Sequence, residues 1–210
     1  FTYTATDAAG NVSNEATVTV RIQKAADAAA YADLDSDYDQ FEAMWLRASG
    51  LFSGRELGGQ ACFEPNATLS RGEFLVMAMQ VAGLAPDAVE TASGFSDEGD
   101  APAWMRPYLS AALRCGVVSG IPASDGLLFA PNEPVTCAQA AVMLQNILQL
   151  PQPETATVFA PETVLPTWAA SAVSTLAAAD LQLDCADYDR SLTRREAACL
   201  LYQAHLLHEA

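Results

Sequence analysis

The stretch Val135–Leu144, VTCAQAAVML, has two near-copies, LSRGEFLVMA at Leu69–Ala78 and LTRREAACLL at Leu192–Leu201. In each, a hydroxyl residue (Ser70, Thr136, Thr193) is followed three positions later by Glu73, Gln139 or Glu196. That spacing is a capping box: the hydroxyl accepts from one orphan amide of a helix start, and the Glu or Gln reaches back to another. It predicts helices beginning at all three places. Apolar residues follow at helical spacing: Phe74, Met77, Ala78, Val81, Ala82; then Ala140, Met143, Leu144, Ile147, Leu148; then Ala197, Leu200, Leu201, Ala204. One helical hairpin cannot bury such a face alone, whereas three can bury theirs together. The first helical position is Arg71 in one copy and Arg194 in another, but Cys137 in the middle one.

Outward from these helices the chain repeats. Tyr31, Phe95 and Phe159 are spaced by 64 residues. Trp104 and Trp168 each lie nine residues after their aromatic anchor, two after Pro102 and Pro166, and Gly116 and Asp180 follow twelve later. Tyr38 holds the tryptophan position of the first copy, twelve before Gly50. CFEPNATLSR and LFAPNEPVTC match over ten residues, while the third copy shortens this loop to DCADYDRSLTR. Each copy reads as helix, loop, helix, the first helix ending at Gly50, Gly116 or Asp180, where a left-handed residue is wanted. The fold class expected is mainly α.

Residues 1–22 differ. They alternate apolar and β-branched residues with polar ones, broken at DAAGN, and predict two strands and a turn. Residues 23–30 read as a linker. The start at Phe1 leads us to expect a piece of a longer protein. No apolar run approaches the roughly 18 residues that span a bilayer, so a soluble chain is expected.

Formal net charge is −16, from 26 acidic and 10 basic residues, which argues against a nucleic-acid partner. Nine of the ten cations are arginine. Arginine presents a planar fork to carboxylates, whereas lysine is a point charge. The five cysteines, Cys62, Cys115, Cys137, Cys185 and Cys199, contain no C-x-x-C pair, so no zinc pattern is present. DLDSDYD (Asp33–Asp39) lacks the glycine and glutamate of a calcium loop and reads as a solvated acidic turn. No nucleophile stands with a base, and no cofactor, metal or catalytic residue is expected.

The series GFSD, Trp104, GVVSG, FAPNEPVT and then a capped helix start with Arg-x-Glu in its sister copies resembles the S-layer homology module. The resemblance covers Tyr31 to about His208 as three copies (31–94, 95–158, 159–210), the third with a degenerate loop. It implies a compact pseudo-threefold unit that holds a secreted surface protein non-covalently to a secondary cell-wall polysaccharide, often one carrying a pyruvate ketal. The N-terminal strands resemble the last hairpin of a bacterial immunoglobulin-like domain.

That resemblance suggests roles for the singled-out residues. Arg71 and Arg194 sit where orphan amides and the helix dipole already favour an anion, and their guanidinium groups add a fork for a sugar-borne carboxylate. The expectation is that both line open grooves between modules and are not paired with surface glutamates. Trp104, Trp168 and Tyr38 are either sugar platforms or core anchors. Asp33 and Asp97 either contact sugar hydroxyls or tie their own loop by turn hydrogen bonds. Glu73 and Glu196 are caps worth about 1 kcal/mol each, with glycan contact as an addition. Arg195 reads as an exposed charge and Cys199 as a buried small hydrophobe. Three readings stand for Cys137: a lost site, a partner of Cys115, or a thiol acidified by the helix start. At most two anion sites are expected, weakest near Cys137. The competing reading is a degenerate unit that keeps the fold and serves protein interaction or self-association without glycan.

Overall fold

All three capping boxes form. The Ser70, Thr136 and Thr193 hydroxyls accept from the amides of Glu73 (3.2 Å), Gln139 (3.2 Å) and Glu196 (3.4 Å). The Glu73, Gln139 and Glu196 side chains accept in return from the cap amides at 3.0, 3.1 and 2.9 Å. The structure is a computed structural model that describes residues 2–17, 31–34, 37–86, 92–153, 157, 159–181, 183 and 185–209, with the side chains of 17 and 37–39 excepted. The expected linker at 23–30 and the end of the second strand at 18–22 therefore lie outside the described residues.

The described chain is mostly α, with small sheets. Strand β1 (Thr2–Tyr3) pairs antiparallel with β2 (Ala16–Thr17), Thr2 opposite Thr17. The turn at DAAGN is closed by Asp7, whose carboxylate accepts from the amides of Ala9 and Asn11 at 2.9 Å each, with Gly10 at φ 87°. Helix α1 (Asp37–Ala48) comes next, then β3 (Arg55–Leu57) and β4 (Gln60–Cys62), then α2 (Arg71–Val81). A 3-10 turn over Glu98–Asp100 precedes α3 (Arg106–Arg114), β5 (Ile121–Ala123), β6 (Gly126–Leu128) and α4 (Cys137–Leu148). Helices α5 (Ala170–Ala178) and α6 (Arg194–His208) complete the order.

The helix ends follow the sequence. Gly50, Gly116 and Asp180 have φ of 70°, 71° and 58°. The residue after each donates back across the last turn: Leu51 to the Leu46 carbonyl (2.9 Å), Val117 to Ala112 (2.8 Å), Leu181 to Leu176 (2.9 Å). This is the Schellman closure that a left-handed residue allows. The loops before α2 and α4, however, each fold into a two-stranded hairpin, β3–β4 and β5–β6, with Arg55 opposite Cys62 and Ile121 opposite Leu128. Gly58-Gly59 and Asp125-Gly126 are turn dipeptides of the hairpin kind. Strands of three residues carry too short an alternation to stand out beside them.

The helix pairings are not those of simple hairpins. Helix α3 packs on α2, α5 on α4, and α1 on α6, while α2 also meets α4 and α6. The first helix of each sequence copy thus leans on the second helix of another copy, and α1 with α6 joins the beginning of this part of the chain to its end. Helix α2 is buried almost all round, from Phe74 through Met79, not along one stripe alone. The core centres on Phe63, Phe74, Phe129, Leu144, Leu192 and Leu200, each under 3% exposed.

Two of the three anchors at the 64-residue spacing, Tyr31 and Phe95, take equivalent buried places, while Phe159 is only partly buried. Tyr31 tilts against Phe63 and Phe95 against Phe129, each at 5.5 Å between ring centroids. Gly54 and Gly120 lie beneath these pairs at φ 75° and 77°. A Cβ on Gly120 would fall 2.9 Å from the Phe95 ring and 3.3 Å from the Leu128 carbonyl. Gly120→Ala combines a steric clash with a left-handed backbone, so urea unfolding of the variant should show a loss of more than about 1 kcal/mol.

Candidate functional site

Helices α2, α4 and α6 begin against one another's loops. The Arg71 amide donates to the Glu133 carbonyl (2.8 Å) and Gly72 to Pro131 (3.0 Å). Cys137 and Ala138 donate to Arg190 (3.0 Å) and Tyr188 (2.9 Å), and Arg194 and Arg195 to Ala67 (2.8 Å) and Pro65 (3.0 Å). With the cap residue and the third helical residue served by the capping box, all four orphan amides of each helix start are occupied. This corrects the expectation that those amides are open to an anion. Any anion bound at these junctions must be held by side chains.

At the first junction Arg71 is 7% exposed. Its Nε donates to the Phe129 carbonyl at 2.9 Å, and its guanidinium lies 5.0 Å from the centre of the Phe129 ring. Among the described residues no carboxylate lies within 4.0 Å of it, and its Nη atoms have no hydrogen-bond partner. Burial pulls its pKa down from the ordinary arginine value, opposed by the charge of Asp97. The group remains cationic, since arginine does not deprotonate in proteins. It is thus a desolvated cation whose fork is not matched by a carboxylate.

Asp97 is close but engaged. Its carboxylate accepts from the amides of Phe129 (2.9 Å) and Ala130 (2.6 Å), and Asp33 does the same for Phe63 and Glu64 at 2.7 Å each. These are long-range ties to the Phe-x-Pro loops, more than the local turn bonds expected. They hold Glu64 and Ala130 at φ 57° and 58°. Trp104 and Trp168 are 56% and 58% exposed, which overturns the core-anchor reading. Met105, next to Trp104 in the chain, lies against the first turn of α2, where a Cβ on Gly72 would collide with its Sδ. The side chain of Tyr38 lies outside the described residues. Glu73 is exposed and caps α2. Glu196 caps α6 and is also gripped by both Nη groups of Arg190.

At the second junction Arg194 repeats the pose with a different outcome. Its Nη1 donates to the Phe63 carbonyl (3.1 Å), where Arg71 uses Nε toward Phe129, and its guanidinium stacks 5.0 Å from the Phe52 ring. The same Nη1 also pairs with Glu64 Oε2 at 2.7 Å, while its Nε is buried without a partner. The expectation of an open arginine thus fails for Arg194. Arg55 adds a second cation 3.5 Å from Glu64.

At the third junction two thiols replace the arginine. Cys137 is fully buried and Cys185 is 8% exposed. A hydrogen bond between the two holds the Cys137 thiol down and pushes Cys185 up. Cys115 is exposed, so the pairing of Cys137 with Cys115 is overturned. Cys199 is half-buried and accepts from the Gln203 amide at 3.2 Å, so it is not the sealed hydrophobe expected. Sequence reasoning gave no role to Glu64, Phe129, Cys185 and Arg190: the first three are distant in the chain from the residues they touch, and Arg190, just before the capping box of Glu196, carried no motif of its own. Arg195 is exposed, as expected. An open cavity of about 500 Å³ lies elsewhere, lined by Trp45, Gln80, His205 and His208, and none of the candidate ligand-binding residues lines it.

Residues 94–141 match the family model of the S-layer homology domain. No curated protein matches the chain. S-layer homology domains are in general non-catalytic cell-wall anchoring modules that bind secondary cell-wall polymers, which indicates a cell-surface protein. Among the described residues no helix is long and apolar enough to cross a membrane, and no group of three or more His, Cys, Asp or Glu could hold a metal ion.

Two outcomes follow from this geometry. The Arg194 hydrogen bond keeps the Glu64 carboxyl below its ordinary value near 4.5. Its stabilising effect is complete above that value and is lost as pH falls through the lowered native value. Glu64→Gln should therefore flatten the acid limb of a melting-temperature profile below about pH 4.5. In native protein, iodoacetamide should modify Cys115 first and reach Cys137 and Cys185 only on unfolding, as peptide mass mapping would show.

Proposed function

We propose that residues 31–210 form three S-layer homology modules (31–94, 95–158, 159–210) in a pseudo-threefold unit that anchors a surface protein to an anionic, pyruvylated secondary cell-wall polysaccharide. The observation that carries this is Arg71: a buried guanidinium, supported by a carbonyl and a ring, that among the described residues faces no carboxylate within ion-pair distance. The carboxylate of a pyruvate ketal is the complement such a fork takes. The same α-helical start against a Phe-x-Pro loop recurs at Arg194, and the ring of backbone bonds through Glu133, Arg190 and Ala67 supports three equivalent modules. Exposed Trp104 and Trp168 are suited to lie against sugar faces. Tyr38 is assigned the same role in the first module, and Asp33, Asp97, Glu73 and Glu196 serve as the frame around the sites. Residues 1–22, which include β1 and β2, are read as the end of an immunoglobulin-like domain, with 23–30 as linker.

A second reading has its own support. The junction at Cys137 has lost its cation, and Arg194 is already paired, as in a unit that keeps the fold for protein contact or self-association. Retention on purified cell-wall polymer separates the two. Arg71→Ala should weaken retention roughly ten- to a hundredfold, the loss of about 1.5–3 kcal/mol for a charged hydrogen bond. Chemical removal of pyruvate from the polymer should have the same effect on the unaltered protein. Retention unchanged by either, or self-association with no retention, would reject the anchoring reading.

A further inference from the structure

The Arg71 and Arg194 junctions share a backbone frame and differ in the side chains around the guanidinium, Phe129 at one and Phe52 with Glu64 at the other. Each arginine follows a capped helix start, lies against an aromatic ring and donates to the carbonyl of a Phe-x-Pro phenylalanine, Phe129 or Phe63. The residue between that Phe and its Pro is left-handed in both loops, at φ 58° and 57°. It is held there by the same device, the carboxylate of Asp97 or Asp33 accepting from its amide. In one loop this residue is Ala130, and in the other it is Glu64. Backbone strain does not explain the glutamate, since either side chain pays the same cost of a left-handed conformation. The Glu64 side chain adds one thing, a carboxylate oxygen 2.7 Å from Arg194 Nη1.

We infer that Glu64 is an internal ligand of the Arg194 junction: its carboxylate takes the place that a sugar-borne carboxylate takes at Arg71, and so limits the chain to one anionic sugar. The inference rests on the anchoring function proposed above. Glu64 is a specificity-determining residue, because it decides how many carboxylated units of one polymer the unit engages. Arg55, 3.5 Å from the same oxygen and largely exposed, helps to hold the carboxylate in place. An incoming anion must displace a tethered carboxylate at Arg194, whereas the loop at Arg71 carries Ala130 in that position, which has no side-chain acceptor.

Titration calorimetry of the whole chain tests this, with a synthetic methyl hexopyranoside carrying a 4,6-linked pyruvate ketal as the probe. The unaltered protein should bind one equivalent, Arg71→Ala none, Glu64→Ala two, and Glu64→Ala/Arg71→Ala one. Glu64→Gln keeps the side-chain volume and repeats the measurement without the charge, should the alanine variant lose its helical circular dichroism. In the unaltered protein the probe should shift the Nε–H resonance of Arg71 and leave that of Arg194 in place, a readout that needs no variant. Two equivalents in the unaltered protein, a moving Arg194 resonance, or no gain in either folded Glu64 variant would overturn the inference. If the unaltered protein bound none while Glu64→Ala bound one, the Arg71 site would be rejected and the role of Glu64 upheld.

Discussion

The structure depends on a relay of backbone hydrogen bonds in which the start of one helix is completed by the loop of another. The first two amides of α2 donate into the loop before α4, those of α4 into the loop before α6, and those of α6 into the loop before α2. A buried amide without a partner costs on the order of 1–3 kcal/mol, so none of these helix starts is satisfactory alone. The circuit closes on itself, and the packing of α1 on α6 closes the helical layer in the same sense. Local order is therefore tied to the whole: a helix that can cap itself still needs its neighbour for its first and second amides.

This circuit also decides what the junctions can do chemically. A helix start with free amides binds anions unaided, but here the amides are used in holding the protein together. Charge recognition passes to the side chain at the first helical position, and the three junctions differ there. Arg71 faces Phe129 and Ala130, Arg194 faces Phe63 and Glu64, and Cys137 meets Cys185. The frame tolerates these differences because it is made of backbone atoms. The first residue of each helix can change from arginine to cysteine without altering the amide bond it donates.

Much of this was legible in the residues. The capping boxes, the positions Gly50, Gly116 and Asp180 that end α1, α3 and α5, and the aromatic anchors at Tyr31 and Phe95 all occur where spacing placed them, because each rests on contacts local in sequence or on one large buried ring. The hairpins β3–β4 and β5–β6 were less legible: three residues are too few to establish a period of two. The sites were legible only in half. Arg71 and Arg194 stood out by position, but their difference lay in Ala130 and Glu64, in loops far away in the chain. The tryptophans illustrate the same limit, since a Trp two residues after a proline has no local signal that separates a core anchor from a surface platform.

The sequence by itself determined where helices start and stop and that their faces were to be shared, because capping, left-handed termini and helical periodicity act within a few residues. Only the tertiary structure decided which helix leans on which, that the helix-start amides are closed to ligands, and that Arg71 stands apart from Arg194. The reason is physical: whether a guanidinium is open or already paired depends on what the fold brings within 4 Å of it, and the deciding residues, Ala130 and Glu64, come from loops distant in the chain.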